Sequence, residues 1–169
     1  MEPNKELLRQ SFHDRKEKPG KGEKRHKEKT PRQRAMERAD KWFSRYIRLK
    51  YSFLAGGVLV CRCYTCGRVH GIKEITLGHW QRRGYKTTRF HENNGRGQCI
   101  QCNYYHSGMP EIFEKNLVSE IGQDKVNELK SLAMEDGQDN ELFYRKQATR
   151  YRGLFKQLLE ERGIKDPWK

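Results

Sequence analysis

Two Cys-x-x-Cys pairs, Cys63/Cys66 and Cys99/Cys102, stand 32 residues apart in a chain of 169. A Cys-x-x-Cys knuckle lets two thiolates approach one ion, so two knuckles close a tetrahedral four-sulfur zinc site, and Gly67 suits the tight turn after the first pair. The gap is longer than in a simple zinc ribbon. It is long enough to hold two strands whose ends are pinned by a single ion. Redox-active thiols are the competing reading, but thioredoxin-like sites need one Cys-x-x-Cys within a βαβ pattern. The fifth cysteine, Cys61, leaves an odd number that a disulfide framework does not explain, and it is expected to pack or to be exposed rather than to ligate. Met1-Glu2-Pro3-Asn4-Lys5 lacks the apolar run of a secretory signal, and no segment approaches the length of a membrane span. A reducing, cytoplasmic setting is expected.

Only 34% of the residues are hydrophobic and 34% are charged, so the core must be small, which is where a structural metal contributes most. The net charge of +14 is uneven: residues 1–110 are basic, while residues 111–169 carry 11 Lys/Arg against 12 Asp/Glu. A basic field of this kind concentrates polyanions and releases their counterions on contact, which makes nucleic acid the leading partner. No stretch joins that charge to a strong apolar face, so a membrane surface is not expected.

Residues 1–29 are rich in Lys, Arg, Glu and Gly with few aromatics, which predicts a disordered basic arm. Thr30-Pro31-Arg32-Gln33 has the form of a capping box with Pro at the first helical position, opening a helix to about Tyr51 within an N-terminal segment 30–57. Trp42, Phe43, Tyr46, Ile47 and Leu49 recur at helical spacing, with Arg34, Arg38, Lys41, Arg45 and Arg48 mostly between them. That positive face is either simply solvated or a DNA contact. Gly56-Gly57 breaks the pattern, and Val58-Leu59-Val60 reads as a short buried strand leading into the first knuckle. Residues 72–80 should form the strand that delivers His79, residues 81–88 a loop, residues 89–99 an irregular second strand, and a helix should begin near Cys102. Three helices follow, over 110–121, 124–134 and 141–162, each bounded by a Gly or a plausible cap. The expected class is α+β: a zinc-stapled core over 58–110, flanked by α-helices, with a C-terminal helical region over 111–169.

His79 is singled out by its surroundings. It follows Gly78, sits between the two knuckles, and is followed by Arg82, Arg83, Lys86 and Arg89, with Arg96 further on. A phosphate arriving at that loop would meet a neutral imidazole able to take a proton from water. His13 and His26 belong to the arm, and His70 and His91 have no defensible partner spacing.

The order Cys63-Tyr-Thr-Cys66, Gly78-His79-Trp80, Arg89-Phe90-His91-Glu92-Asn93-Asn94, Gln98-Cys99-Ile-Gln-Cys102-Asn103 and Ser107-Gly108 resembles the phage NinG family, also called Rap, over about residues 39–162. The resemblance implies a recombination nuclease that nicks branched DNA, including Holliday junctions and D-loops. It implies a core similar to the HNH, or His-Me finger, ββα-metal fold, and phage recombination proteins as partners in a bacterial host. On that resemblance His79 takes the place of the general base. Asn94 is the residue that braces the loop and the His backbone, and Asn103 is the metal-ligand position opening the helix. HNH enzymes commonly have an acidic residue before that His. Here the position is Gly78, as in the NinG pattern, which leaves Glu74 and Glu92 as the nearest carboxylates in sequence. Family members often have Lys where this chain has His106, one helical turn from Asn103. His106 is therefore a second metal ligand, a phosphate contact or a solvent-facing replacement.

The chemistry that fits is phosphodiester hydrolysis with one divalent ion, Mg²⁺ or Mn²⁺, and a chemically silent zinc. A non-catalytic zinc-dependent nucleic-acid-binding module and an HNH endonuclease of homing or restriction type are the rivals. Junction resolution takes two cuts, so a homodimer through the C-terminal helices is expected.

Overall fold

The computed structural model describes residues 28–169, so the expected arm lies outside the described residues but for its last two. The first helix, α1 (Pro31–Lys50), starts on the capping box: Thr30 Oγ1 accepts from the Gln33 amide, and the Gln33 side chain accepts from the Thr30 amide. Ala35, Ala39, Phe43 and Ile47, spaced four apart, form its buried face. They pack against Tyr144, Ala148 and Tyr151 of α4 (Glu141–Glu161), with Phe90 filling the seam. The Phe43 ring meets Tyr151 at 4.8 Å and Phe90 at 5.7 Å, both edge-on. The α4 face that carries Tyr144, Ala148 and Tyr151 is therefore occupied within the chain by α1.

A three-stranded antiparallel sheet follows, β1 (Ser52–Ala55), β2 (Val58–Arg62) and β3 (Val69–Gly71). Gly56 and Gly57 join β1 to β2 at φ +56° and +78°, the left-handed pair that a two-residue hairpin turn demands. The expected buried strand is instead one arm of an exposed hairpin, with Val58 60% exposed and Cys61 the residue of β2 that is fully buried. Phe53 and Leu54 of β1 are exposed as well, so little of this hairpin is covered.

The second sheet has two antiparallel strands, β4 (Thr76–His79) and β5 (Gly95–Gln98), with His79 opposite Gly95 and Gly78 opposite Arg96. The strand delivering His79 is shorter than expected, because residues 72–75 turn: the amides of Glu74 and Ile75 both donate to the Gly71 carbonyl, and the Glu74 carboxylate accepts from the Gly71 amide. Similarly, the irregular second strand resolves into a 3₁₀ turn (Glu92–Asn94) capped by His91, followed by β5. After Cys99 a single wide π-type turn, Gln101–Tyr105, replaces the expected helix. Ser107, Gly108 and Met109 all take positive φ (51°, 81° and 49°) and reverse the chain into α2 (Pro110–Ile121) and α3 (Gln123–Ala133). These two helices bury Phe113, Leu117, Val126 and Leu129 against Trp80, the residue after His79. Among the described residues no helix is long and apolar enough to cross a membrane.

Candidate active site and metal centre

The Sγ atoms of Cys63, Cys66, Cys99 and Cys102 all lie within 4.8 Å of one another, positioned to bind one metal ion. β2 and the Gly67 turn (φ +75°) bring in the first pair, and β5 leads directly into the second. Around Cys63, burial raises the thiol pKa, but the Cys66 and Cys99 amides and the Thr65 hydroxyl outweigh it and hold the thiol below its ordinary range. Burial, together with the neighbouring Cys99 and Cys66 sulfurs, pushes Cys102 upward. One thiolate is thus favoured by the fold alone, and a divalent cation is what would offset the upward push on Cys102. Four sulfur donors at this spacing fit a structural zinc. Cys61 is buried outside the cluster, its thiol pushed up to about 11 by burial.

Beside this cluster a cleft of about 530 Å³ is lined by Leu77 and His79 of β4, Arg82 and Arg83 of the following loop, Asn103, and Glu37, Asp40, Lys41 and Ser44 of α1. His79 is not the exposed side chain that a strand end suggests. It is half-buried, its ring 5.8 Å from that of Phe43, and its Nε2–H donates to the Arg89 carbonyl at 3.0 Å. A carbonyl only accepts, so the proton sits on Nε2 and Nδ1 keeps its lone pair; among the described residues Nδ1 has no hydrogen-bond partner. Burial, reinforced by the Arg83 and Arg89 charges against the Arg89 carbonyl and Asp40, lowers the imidazole pKa to about 4. The ring is neutral at physiological pH.

Asn94 is fully buried and ties both ends of the loop over 81–88. Its Oδ1 accepts from the Gln81 amide at 2.7 Å, and its Nδ2 donates to the carbonyls of Gln81 and Thr88, both at 3.0 Å. Its own carbonyl accepts from the Trp80 amide. Asn103 donates through Nδ2 to Thr76 Oγ1 at 2.9 Å and to the Leu77 carbonyl at 3.1 Å, and among the described residues its Oδ1 has no protein partner.

Several expected site residues stand elsewhere. Arg96 is 1% exposed, forked onto the Glu120 carboxylate at 3.1 and 2.9 Å, and its guanidinium lies between the Tyr51 and Tyr64 rings at 4.5 and 5.4 Å. It is a structural cation and cannot reach a phosphate. Arg89 is likewise committed, forked onto Asp40 at 2.9 and 2.6 Å and bonded to the Arg83 carbonyl. Lys86 is exposed but paired with Asp139 at 3.1 Å. Arg82 and Arg83 are the expected cations that do line the cleft. His106 is exposed at the end of the π-type turn and does not share the cleft with Asn103, because in so wide a turn residues three apart no longer stack.

The two carboxylates nearest in sequence are also placed elsewhere: Glu74 turns back to Gly71, and Glu92 binds Lys50 and Tyr46. The cleft's carboxylates are Glu37 and Asp40, which a reading centred on the knuckles missed. The available signal was the polar stripe Glu37, Asp40, Lys41, Ser44 at helical spacing on α1. The glycine before His79 has its own cause: a Cβ at Gly78 would lie 1.9 Å from Oε1 of the buried Gln98, whose Nε2 holds the Gly108 carbonyl.

The family model of the bacteriophage lambda NinG protein matches residues 3–161. The chain belongs to the NinG family. Protein ninG of Escherichia phage lambda is 35% identical over 75 residues, 41% of this chain and 34% of that protein. Protein ninG of Escherichia phage 933W is 33% identical over a stretch of the same length, and that of Enterobacteria phage H19B 35% over 63 residues. The alignments to these NinG proteins span about a third of their length. No solved structure matches the chain.

Proposed function

We propose that this NinG-family chain is a metal-dependent DNA endonuclease that nicks branched recombination intermediates, with His79 as general base. The observation that carries the reading is the pairing of His79 and Asn103 in one cleft, with a free Nδ1 on the first, a free Oδ1 on the second, and Arg82 and Arg83 on the rim. The succession of β4, loop, β5 and a short helical turn supports an HNH-like reading of this core.

The steps follow from the residues. Arg82 and Arg83 attract and orient the phosphate at the rim. The Arg89 carbonyl fixes the His79 ring and its tautomer, so Nδ1 is the atom that takes the proton from an attacking water. Asn94 holds the loop carrying those arginines and that carbonyl at a fixed distance from β4. The cleft's oxygen donors, Asn103 Oδ1 and the Glu37 carboxylate, which is paired at the surface with Lys29 at 2.7 Å, are the hard type that Mg²⁺ or Mn²⁺ accepts alongside substrate oxygens and water. Such an ion, when bound, supplies charge neutralisation at the scissile phosphate and leaving oxygen. An ion held by Cys63, Cys66, Cys99 and Cys102 would have no open position left for substrate and would serve structure alone.

The test is nicking of a synthetic four-way junction beside a linear duplex of matched sequence, with Mg²⁺ or Mn²⁺ added. Preferential nicking of the junction is expected. Binding without cleavage of either substrate makes the chain a zinc-dependent binding module, and cutting at one linear site makes it a homing- or restriction-type enzyme.

A further inference from the structure

On the flank of α1 away from the cleft, two adjoining hollows of about 240 and 230 Å³ run along the seam with α4. Arg38, Trp42, Arg145, Thr149 and Arg152 line the first, and Arg34 extends the second toward the start of α1. The helices run parallel here, since Pro31 and Glu141 share the second hollow and Arg162 reaches the Leu49 carbonyl at 2.8 Å. Arg38 and Arg45 are seven residues apart on α1, and Arg145 and Arg152 are seven apart on α4. By the helical rise each pair spans about 10 Å, roughly three 3.4 Å steps of one DNA strand.

Three guanidinium groups of α1 and α4 lie against indoles, while Arg34 pairs with Glu28 at 3.2 Å. Arg152 lies 5.7 Å from the Trp42 ring, Arg45 lies 5.3 Å from Trp42 and 5.5 Å from Trp168, and Arg48 lies 4.7 Å from Trp168. Among the described residues Arg38, Arg45 and Arg152 have no ion-pair partner, while Arg145 pairs with Glu141 at 2.6 Å one turn earlier on its own helix. Arg89, Lys86 and Arg96 are each neutralised by a carboxylate, whereas among the described residues Arg38, Arg45 and Arg152 share their lack of an ion pair with Arg82 and Arg83 at the cleft. Stacking fixes a guanidinium plane and leaves its N–H edge free, which is what bidentate recognition of a phosphate requires. Keeping like charges together without counter-charges costs stability, and a polyanion laid along the row offsets that cost. Trp42 is already faced by Arg45 and Arg152, so the groove offers no open ring for an unpaired base and reads backbone alone.

We propose that this groove seats the sugar-phosphate backbone of a second duplex arm of branched DNA, on the other flank of α1 from the arm that enters the His79 cleft. The inference rests on the reading of that cleft as a DNA site. The two seats lie on one helix, with Glu37, Lys41 and Ser44 turned to the cleft and Arg38 and Trp42 to the groove. Strands held by both leave α1 on different sides, as arms diverging from a branch do.

The experiment is a salt titration of binding, by fluorescence anisotropy, of the full chain to a four-way junction and to a linear duplex. For Arg38→Gln/Arg145→Gln/Arg152→Gln, the junction slope of log K against log salt should become shallower by roughly 2 to 3, close to one per lost phosphate contact. The linear-duplex slope should change by less than half as much. Thr149→Lys, at an exposed position in the groove, should steepen the junction slope by about one, and it decides the matter if the triple variant does not fold. An unchanged junction slope in a folded triple variant, or an equal loss for junction and linear duplex, overturns the proposal. A wild-type chain that binds junctions but never nicks them refutes the catalytic reading and leaves the groove standing. A triple variant that binds and nicks as the wild type does refutes the groove alone.

Discussion

His79 carries two separable loads. As the proposed proton acceptor, its loss in His79→Ala should lower junction nicking by roughly 10²-fold or more while junction binding survives, measured by nicking rate and by anisotropy. As a half-buried ring against Phe43, it should also take roughly 1–3 kcal/mol of stability with it, read by denaturant unfolding. Its titration gives a further check. The folded imidazole has its pKa lowered to about 4, against 6.5 for the free group. Between those values the unfolded chain binds a proton that the folded chain does not. Its contribution to stability is therefore full above pH 6.5 and is lost as pH falls toward 4, to the extent of about 3 kcal/mol at most. Wild-type Tm should fall over that window more steeply than that of His79→Ala. That His79 stands beside Arg82 and Arg83 was legible in the sequence, but its burial was not, because the ring covering it belongs to α1. Arg89 and Arg96 mislead for the same reason: their partners Asp40 and Glu120 come from helices outside the knuckle region, and a sequence shows a cation without showing what neutralises it.

Among the elements, β5 links the metal centre to the cleft. Its first residue pairs with His79 and its last precedes Cys99. Cys66→Ser or Cys99→Ser should therefore do more than remove a ligand: near-UV circular dichroism should show lost packing across the central region, and metal analysis should fall from about one zinc per chain. Full folding of a zinc-free chain would contradict this. Asn94→Ala removes three hydrogen bonds inside the core and should cost roughly 1–3 kcal/mol, with faster amide exchange confined at first to residues 81–88. The helices were readable because capping residues and apolar spacing are local signals, as Thr30 with Gln33, Asn140, and Gly122 show. The short strands were not. Nothing local in the sequence announces β1, since Ser52–Ala55 is set by pairing across Gly56-Gly57, and residues 72–75 turn because Gly71 accepts two amides at once. The knuckle pairing was legible from spacing alone, whereas the π-type turn that moves His106 away from Asn103 leaves no mark in residue types.

At the scale of the molecule, charge and packing are divided between the two ends of the chain. Deleting residues 1–27 should weaken DNA binding and flatten its salt dependence while leaving zinc content unchanged; an unaltered salt slope would show that these residues make no phosphate contacts. The cleft has one wall from α1 and another from the knuckle region, and α1 is held in place by α4, more than ninety residues further along. This separation has a consequence for synthesis. A growing chain leaves the ribosome with Ala39, Phe43 and Ile47 uncovered, and their cover is complete only when residues 141–155 emerge, by which time the two cysteine knuckles have long been available to close. The metal centre can thus assemble early, but the wall carrying Glu37 and Asp40 is fixed only near the end. A chain stopped before residue 141 therefore has all four cysteines but lacks the helix that holds the α1 wall of the cleft.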